Sequence, residues 1–126
     1  MTDQMKPGRH PFLEDLAADV VLITNVLKRP VTGRDKVLRI VKAGGAIYSS
    51  QKPTYLKKFD DKRSLFEYDA DLVGGRTVHG VVVIDWNDDG TVSHLNIGFS
   101  PLTGALSFAV KLGEQLEGDF EEGLFL

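Results

Sequence analysis

The spacing of hydrophobic positions changes several times along the chain, and each change marks an element. In "FLEDLAA", Phe12, Leu13 and Leu16 recur at helical spacing, which predicts a short first helix. "DVVLITNVL" is rich in β-branched residues and reads as a strand. In "RPVTGRDKVLRIVKAGGAIYSS", Val37, Ile40, Val41, Gly44 and Tyr48 share one face of a second helix, with Thr32 as N-cap and Asp35 in its first turn. Gly44-Gly45 within that helix costs about 1 kcal/mol per glycine relative to alanine, which points to close packing against a sheet or to a bend.

The period then falls to two. "PTYLKKF" predicts a strand, and "SLFEYDADL" alternates Phe66, Tyr68, Ala70 and Leu72 against Glu67, Asp69 and Asp71. Gly74-Gly75 signals a two-residue hairpin turn, and "NDDG" a type I turn with Gly90 in the left-handed bulge position. Two strands flank that second turn in "TVHGVVVIDWNDDGTVSHLNIGFSP", and "SPLTGALSFAVKLGEQLEG" closes with a helix carrying Leu106, Val110, Gly113 and Leu116. The order is helix, strand, helix, antiparallel meander, helix, an α+β domain with its sheet covered on one face.

Counting outward from the turns assigns the faces, because directly paired residues share one. Val73 opposite Arg76 sets Ala70 against His79, Tyr68 against Val81 and Phe66 against Val83. Asn87 opposite Thr91 sets Val83 against Leu95, Val81 against Ile97 and His79 against Phe99. One face then carries Phe66, Tyr68, Ala70, His79, Val81, Val83, Leu95, Ile97 and Phe99. The other carries Val82, Ile84, Trp86, Val92, His94 and Asn96 beside the acidic stripe. The apolar patch Val82, Ile84, Trp86 and Val92 reads as a homodimer contact, with His94 at or beside it.

Composition narrows the function classes. The 126 residues fit one domain, 1–118, with 1–11 as a loose polar arm and 119–126 as an acidic and apolar tail. The tail has three possible roles: docking on a partner subunit, capping a pocket, or fraying. A net charge of -3 offers no domain-wide positive field for nucleic acid. The absence of cysteine excludes disulfides and thiolate metal sites. The first residues have no apolar signal region, and runs such as Val81–Ile84 fall far short of the roughly 20 residues of a membrane span. A cytoplasmic protein without membrane contact is the expectation.

The element pattern with "LAADVVLITNVL", "PVTGRDKVLRIV" and "GVVVIDWNDDGTVSHLNIGFSP" resembles the nuclear transport factor 2-like superfamily over roughly residues 10–117, and within it the SnoaL-like proteins. Relatives include polyketide cyclases, ketosteroid isomerase and limonene epoxide hydrolase. The resemblance implies a cone of curved antiparallel sheet wrapped over N-terminal helices, here with an extra C-terminal helix. It also implies a deep apolar pocket and frequent dimers through the sheet. The positions that carry chemistry depart from the pattern. Thr24 stands where the isomerase keeps its carboxylate base. Leu95 and Ile97 stand where the hydrolase keeps a Trp-x-Asp, and Val81, Val82 and Val83 match the strand of the isomerase's oxyanion acid.

The implied function is binding of a small apolar organic ligand, with Thr24, Tyr48, Phe66, Val81, Leu95, Ile97 and Phe99 lining the pocket. The alternative is an isomerase or cyclase in which His79 acts as general base and Tyr68 donates a hydrogen bond to a carbonyl or enolate. Tyr55 is placed with Tyr48 near the mouth. No cofactor is expected. No metal is expected either: His10, His79 and His94 show no ligand spacing, and Asp85, Asn87, Asp88 and Asp89 suit a solvated turn.

Overall fold

The computed structural model describes residues 12–120 and 123–125. After a 3-10 turn at Leu13–Asp15 come strand β1 (Leu16–Thr24), short β2 (Val31–Thr32) and helix α1 (Arg34–Ile47). Strands β3 (Tyr48–Asp60), β4 (Arg63–Leu72), β5 (Thr77–Trp86) and β6 (Val92–Ser100) follow, then helix α2 (Leu102–Gln115). They form one sheet in the order β2-β1-β6-β5-β4-β3. The meander is antiparallel, but β1 runs parallel to β6, so the sheet is mixed rather than wholly antiparallel. The predicted arm 1–11 lies outside the described residues.

The first predicted helix is only the 3-10 turn, because Leu16 and Ala17 enter β1 and bury there. A helix of "FLEDLAA" would be too short to hold itself without tertiary packing. The start of α1 also differs. Gly33, at φ 114°, occupies the N-cap with no side-chain cap bond, one residue beyond Thr32. Tyr48 has left the helix and opens β3. Gly44 lies against Phe108 of α2, where an added Cβ would meet the ring at 3.0 Å. Gly44 therefore brings α1 close to the other helix rather than onto the sheet.

The two hairpins decide which residues face the core. The first loop spans three residues, not two: the Leu72 amide donates to the Arg76 carbonyl at 2.7 Å, leaving Val73, Gly74 and Gly75 outside the ladder. Both glycines have positive φ, near 100°. Ala70 therefore pairs with Val78, Tyr68 with Gly80 and Phe66 with Val82. The second turn forms as expected, with the Asn87 amide donating to the Thr91 carbonyl at 2.7 Å. Two residues on, a bulge intervenes: Trp86 pairs with Val92 but Asp85 with His94, so Ser93 is the extra residue. Beyond it Ile84 pairs with Leu95, Val82 with Ile97 and Gly80 with Phe99.

Both differences move β5 by one residue, and a one-residue shift exchanges the faces of a strand. Val78, Gly80, Val82 and Ile84 point inward under the helices, while His79, Val81 and Val83 point outward. Val82 and Ile84 are each 1% exposed and belong to the core. Phe66, Tyr68, Leu95 and Ile97 stay on the inner face as predicted, because the two shifts cancel across β5.

The described tail residues fold back onto their own domain. Leu124 is buried, its carbonyl accepts from the Lys28 amide at 2.9 Å, and the Gly123 carbonyl accepts from Arg29. Asp119 pairs with Arg39 of α1. Among the described residues, no helix is long and apolar enough to cross a membrane.

Candidate functional site

Between the inner face of the sheet and the two helices lies a cavity of about 70 Å³. A single water needs about 10–15 Å³ on the same measure. Leu22 and Thr24 come to it from β1, Gly44 and Gly45 from α1, Phe66 and Tyr68 from β4, Ile97 and Phe99 from β6, and Phe108 and Leu112 from α2. Among the described residues, none of the lining side chains carries a charge; the polar ones are Thr24, Tyr48, Gln51 and Tyr68.

Tyr48 and Tyr68 converge, their hydroxyl oxygens 2.6 Å apart. One phenol must donate to the other, and the acceptor keeps its own O–H for a third group. Burial pushes the Tyr48 hydroxyl far above the ordinary tyrosine range, reinforced by the electrostatic effect of the neighbouring Tyr68 hydroxyl and its hydrogen bond. Burial also raises Tyr68, while its bond to Tyr48 opposes that rise. Both phenols are therefore neutral donors, suited to meeting a carbonyl oxygen and unsuited to abstracting a proton.

Packing fixes the pair. Tyr48 stacks on Phe108 at 5.6 Å between centroids, and Tyr68 lies 5.5 Å from Phe66. The Tyr68 ring lies against Gly80, so close that a Cβ there would come within 2.5 Å of it. The sequence carried a signal for this: an isolated glycine in "VHGVVV" marks a place where something approaches the strand backbone.

Of the expected pocket residues, the structure places Thr24, Tyr48, Phe66, Ile97 and Phe99 on the cavity lining. Leu95 is fully buried in the core without lining it, and Val81 is on the outer face. The expected catalytic pair is not brought together. Tyr68 faces the cavity, while His79 stands opposite Asp69 on the other side of the sheet. Of the expected dimer contact, His94 is exposed on the outer face, Val82, Ile84 and Val92 are buried, and Trp86 is half-buried with its indole N–H donating to Ser64. Residues not foreseen at the cavity include Gly44, Gly45, Phe108 and Leu112. Tyr55 is exposed on edge strand β3 and does not line the cavity.

His79 has an environment of its own. Its Nδ1 lies 2.7 Å from Asp69 Oδ1 and its Nε2 lies 2.8 Å from Glu67 Oε1. Ionised carboxylates only accept, so the geometry favours an imidazole that carries hydrogen on both ring nitrogens. Asp69 first, then Glu67, raise its pKa above 6.5, against a small opposing effect of burial. Because the folded pKa is raised, the stabilisation is fully present below the unfolded value of about 6.5 and fades as pH rises through the folded one. An NMR titration is expected to place His79 above 6.5, with Asp69→Asn lowering it more than Glu67→Gln. A wild-type value at or below 6.5 would contradict this geometry.

The two ring nitrogens point to opposite carboxylates, so the three groups do not converge on one point. Among the described residues no cluster is arranged to hold a metal ion. Asp89 serves its turn, accepting from the Thr91 amide and hydroxyl, which holds its carboxyl below the usual range. Asp85 pairs with Arg63.

A mixed six-stranded sheet over two helices, with a cavity between the layers, defines an α+β cone. The fold is similar to that of solved proteins described as nuclear transport factor 2-like. No family model matches the sequence, and no curated protein does. Solved structures match over most of the chain. An uncharacterised bacterial protein with a cystatin-like fold from Silicibacter pomeroyi DSS-3 is 20% identical, with a TM-score of 0.78 over 85% of this chain and 74% of that one. A steroid delta-isomerase from Pseudomonas aeruginosa is also 20% identical, with a TM-score of 0.76 over 82% and 76%. A putative isomerase of the SnoaL-like family from Agrobacterium tumefaciens is 10% identical, with a TM-score of 0.54 over 70% and 76%. At these identities the likeness establishes the fold.

Proposed function

We propose that this protein binds a small, neutral, mostly apolar organic molecule in the cavity, with the Tyr48–Tyr68 pair donating a hydrogen bond to an oxygen of the ligand. The observation that carries this reading is a lining with no charged side chain and two converging neutral phenols. Apolar walls reward burial of ligand surface at about 25 cal/mol per Å². An ionised ligand would lose its hydration there without a counter-charge. The fold shared with a steroid delta-isomerase supports a ligand-binding or isomerase-type protein. The isomerase alternative retains the hydrogen-bond donors but lacks a base at the cavity, since His79 is across the sheet. A homodimer through the sheet would use the outer face, where Val81, Val83 and His94 stand, rather than the buried Val82 and Ile84.

Cyclohexanone and cyclohexanecarboxylate differ in charge at similar size. At ten times its dissociation constant the ketone is expected to stabilise the fold by about 1.4 kcal/mol, raising Tm by roughly 3–6 °C. The carboxylate is expected to leave Tm unchanged. No shift with the ketone, or an equal shift with both, would contradict the proposal.

A further inference from the structure

Thr24 ends β1 on the inner face, paired with Ile97, and its hydroxyl is the unexplained polar group of the cavity. Among the described residues, the Thr24 Oγ1 is buried and has no hydrogen-bond partner. Buried hydroxyls normally have one, so a lone exception calls for a physical account. The neighbours are already committed. Asn25 clamps the strand end to β6, donating to the Phe99 carbonyl and accepting from the Phe99 amide, both at 3.1 Å. Tyr48 and Tyr68 bond each other. Gln51, the remaining polar lining residue, is on the exposed strand β3.

We infer that the cavity recognises a neutral molecule with two oxygen functions. A carbonyl or hydroxyl meets the tyrosine pair, and a second hydroxyl or carbonyl meets Thr24, with an apolar ring or chain between them. This rests on the ligand-binding reading above and adds the class of ligand. A threonine hydroxyl both donates and accepts, so it takes either oxygen function. The Asn25 clamp holds the end of β1, so the hydroxyl is positioned before a ligand arrives, which limits the entropy lost on binding. The uncharged lining excludes a carboxylate or phosphate as the second function.

The test is calorimetric titration with methylcyclohexane, cyclohexanone, and 3- and 4-hydroxycyclohexanone, which hold two oxygens at two separations. One of the hydroxyketones is expected to bind about tenfold more tightly than cyclohexanone, the gain of one well-made buried hydrogen bond. Thr24→Val is expected to remove that advantage, so that the hydroxyketone binds this variant no more tightly than cyclohexanone does. Tyr68→Phe is expected to weaken every ketone. If neither hydroxyketone exceeds cyclohexanone, or if Thr24→Val keeps the advantage, the two-oxygen inference is overturned and ligand binding stands. If none of the four binds, the ligand-binding reading falls and this inference with it. Denaturant midpoints of both variants confirm that each is folded, and Thr24→Val is expected to be no less stable than wild type because it removes an unsatisfied hydroxyl.

Discussion

Gly104→Ala is expected to lower stability by about 3 kcal/mol, or roughly 10–15 °C in Tm. Ordinary helix propensity predicts the opposite sign, since alanine is favoured over glycine by about 1 kcal/mol inside a helix. The local geometry decides. A Cβ at Gly104 would sit 2.1 Å from the Thr77 carbonyl oxygen and 2.9 Å from Val78 Cγ1. The oxygen belongs to the backbone of β5 and cannot rotate away, so α2 must lift. Lifting α2 loosens Ala105, Phe108, Ala109 and Leu112, all buried. Gly45→Ala is the matched control. Nothing lies within 4 Å of its added Cβ, so it should gain up to about 1 kcal/mol from propensity alone. Chemical denaturation of both variants measures the contrast. A neutral or stabilising Gly104→Ala would mean that α2 does not rest on β5 as described.

Gly80→Ala has the largest expected effect on binding. The new methyl would occupy the place of the Tyr68 ring, with contacts of 2.5 Å to Cζ and 2.8 Å to the hydroxyl oxygen. The ring cannot withdraw easily, because Phe66 and Tyr48 pack against it. The expected result is a loss of about 1–3 kcal/mol of stability from overpacking, together with a break in the Tyr48–Tyr68 bond. Cyclohexanone affinity should fall by about tenfold or more, corresponding to one lost hydrogen bond and a misshapen wall. Tyr68→Phe separates the two contributions, since it keeps the ring and removes only the hydroxyl. If Gly80→Ala bound the ketone as wild type does, Tyr68 would not form the wall of the site.

The class of the fold was legible because strand and helix periods alternate clearly, and the short hairpin turns place consecutive strands side by side. The faces of β4, and of β6 beyond Ser93, were also legible, yet Val92 before the bulge and the strand between them were not. A three-residue loop at Val73–Gly75 and a bulge at Ser93 each shift the register by one. Neither leaves a strong sequence mark: Gly74-Gly75 suits a two- or three-residue loop, and a serine bulge looks like any polar strand residue. The two errors cancel across β5, so Phe66, Tyr68 and Ile97 were placed correctly while His79, Val81, Val82 and Ile84 were inverted. One signal was present. A strand face with His79 beside Glu67 and Asp69 satisfies charge, whereas His79 among valines does not. The parallel pairing of β1 with β6 and the approach of Phe108 to Gly44 join distant parts of the chain, which no local period encodes.

We propose that the inner cavity, and not the outer face of the sheet, takes the ligand. Amide chemical shifts recorded while cyclohexanone is titrated into the protein test it most directly. Thr24, Gly44, Gly45, Ile97 and Phe99 are expected to move together along one saturable curve, while His79, Val83 and Asn96 on the outer face stay still. Saturable shifts on the outer face with none at those cavity residues would contradict it.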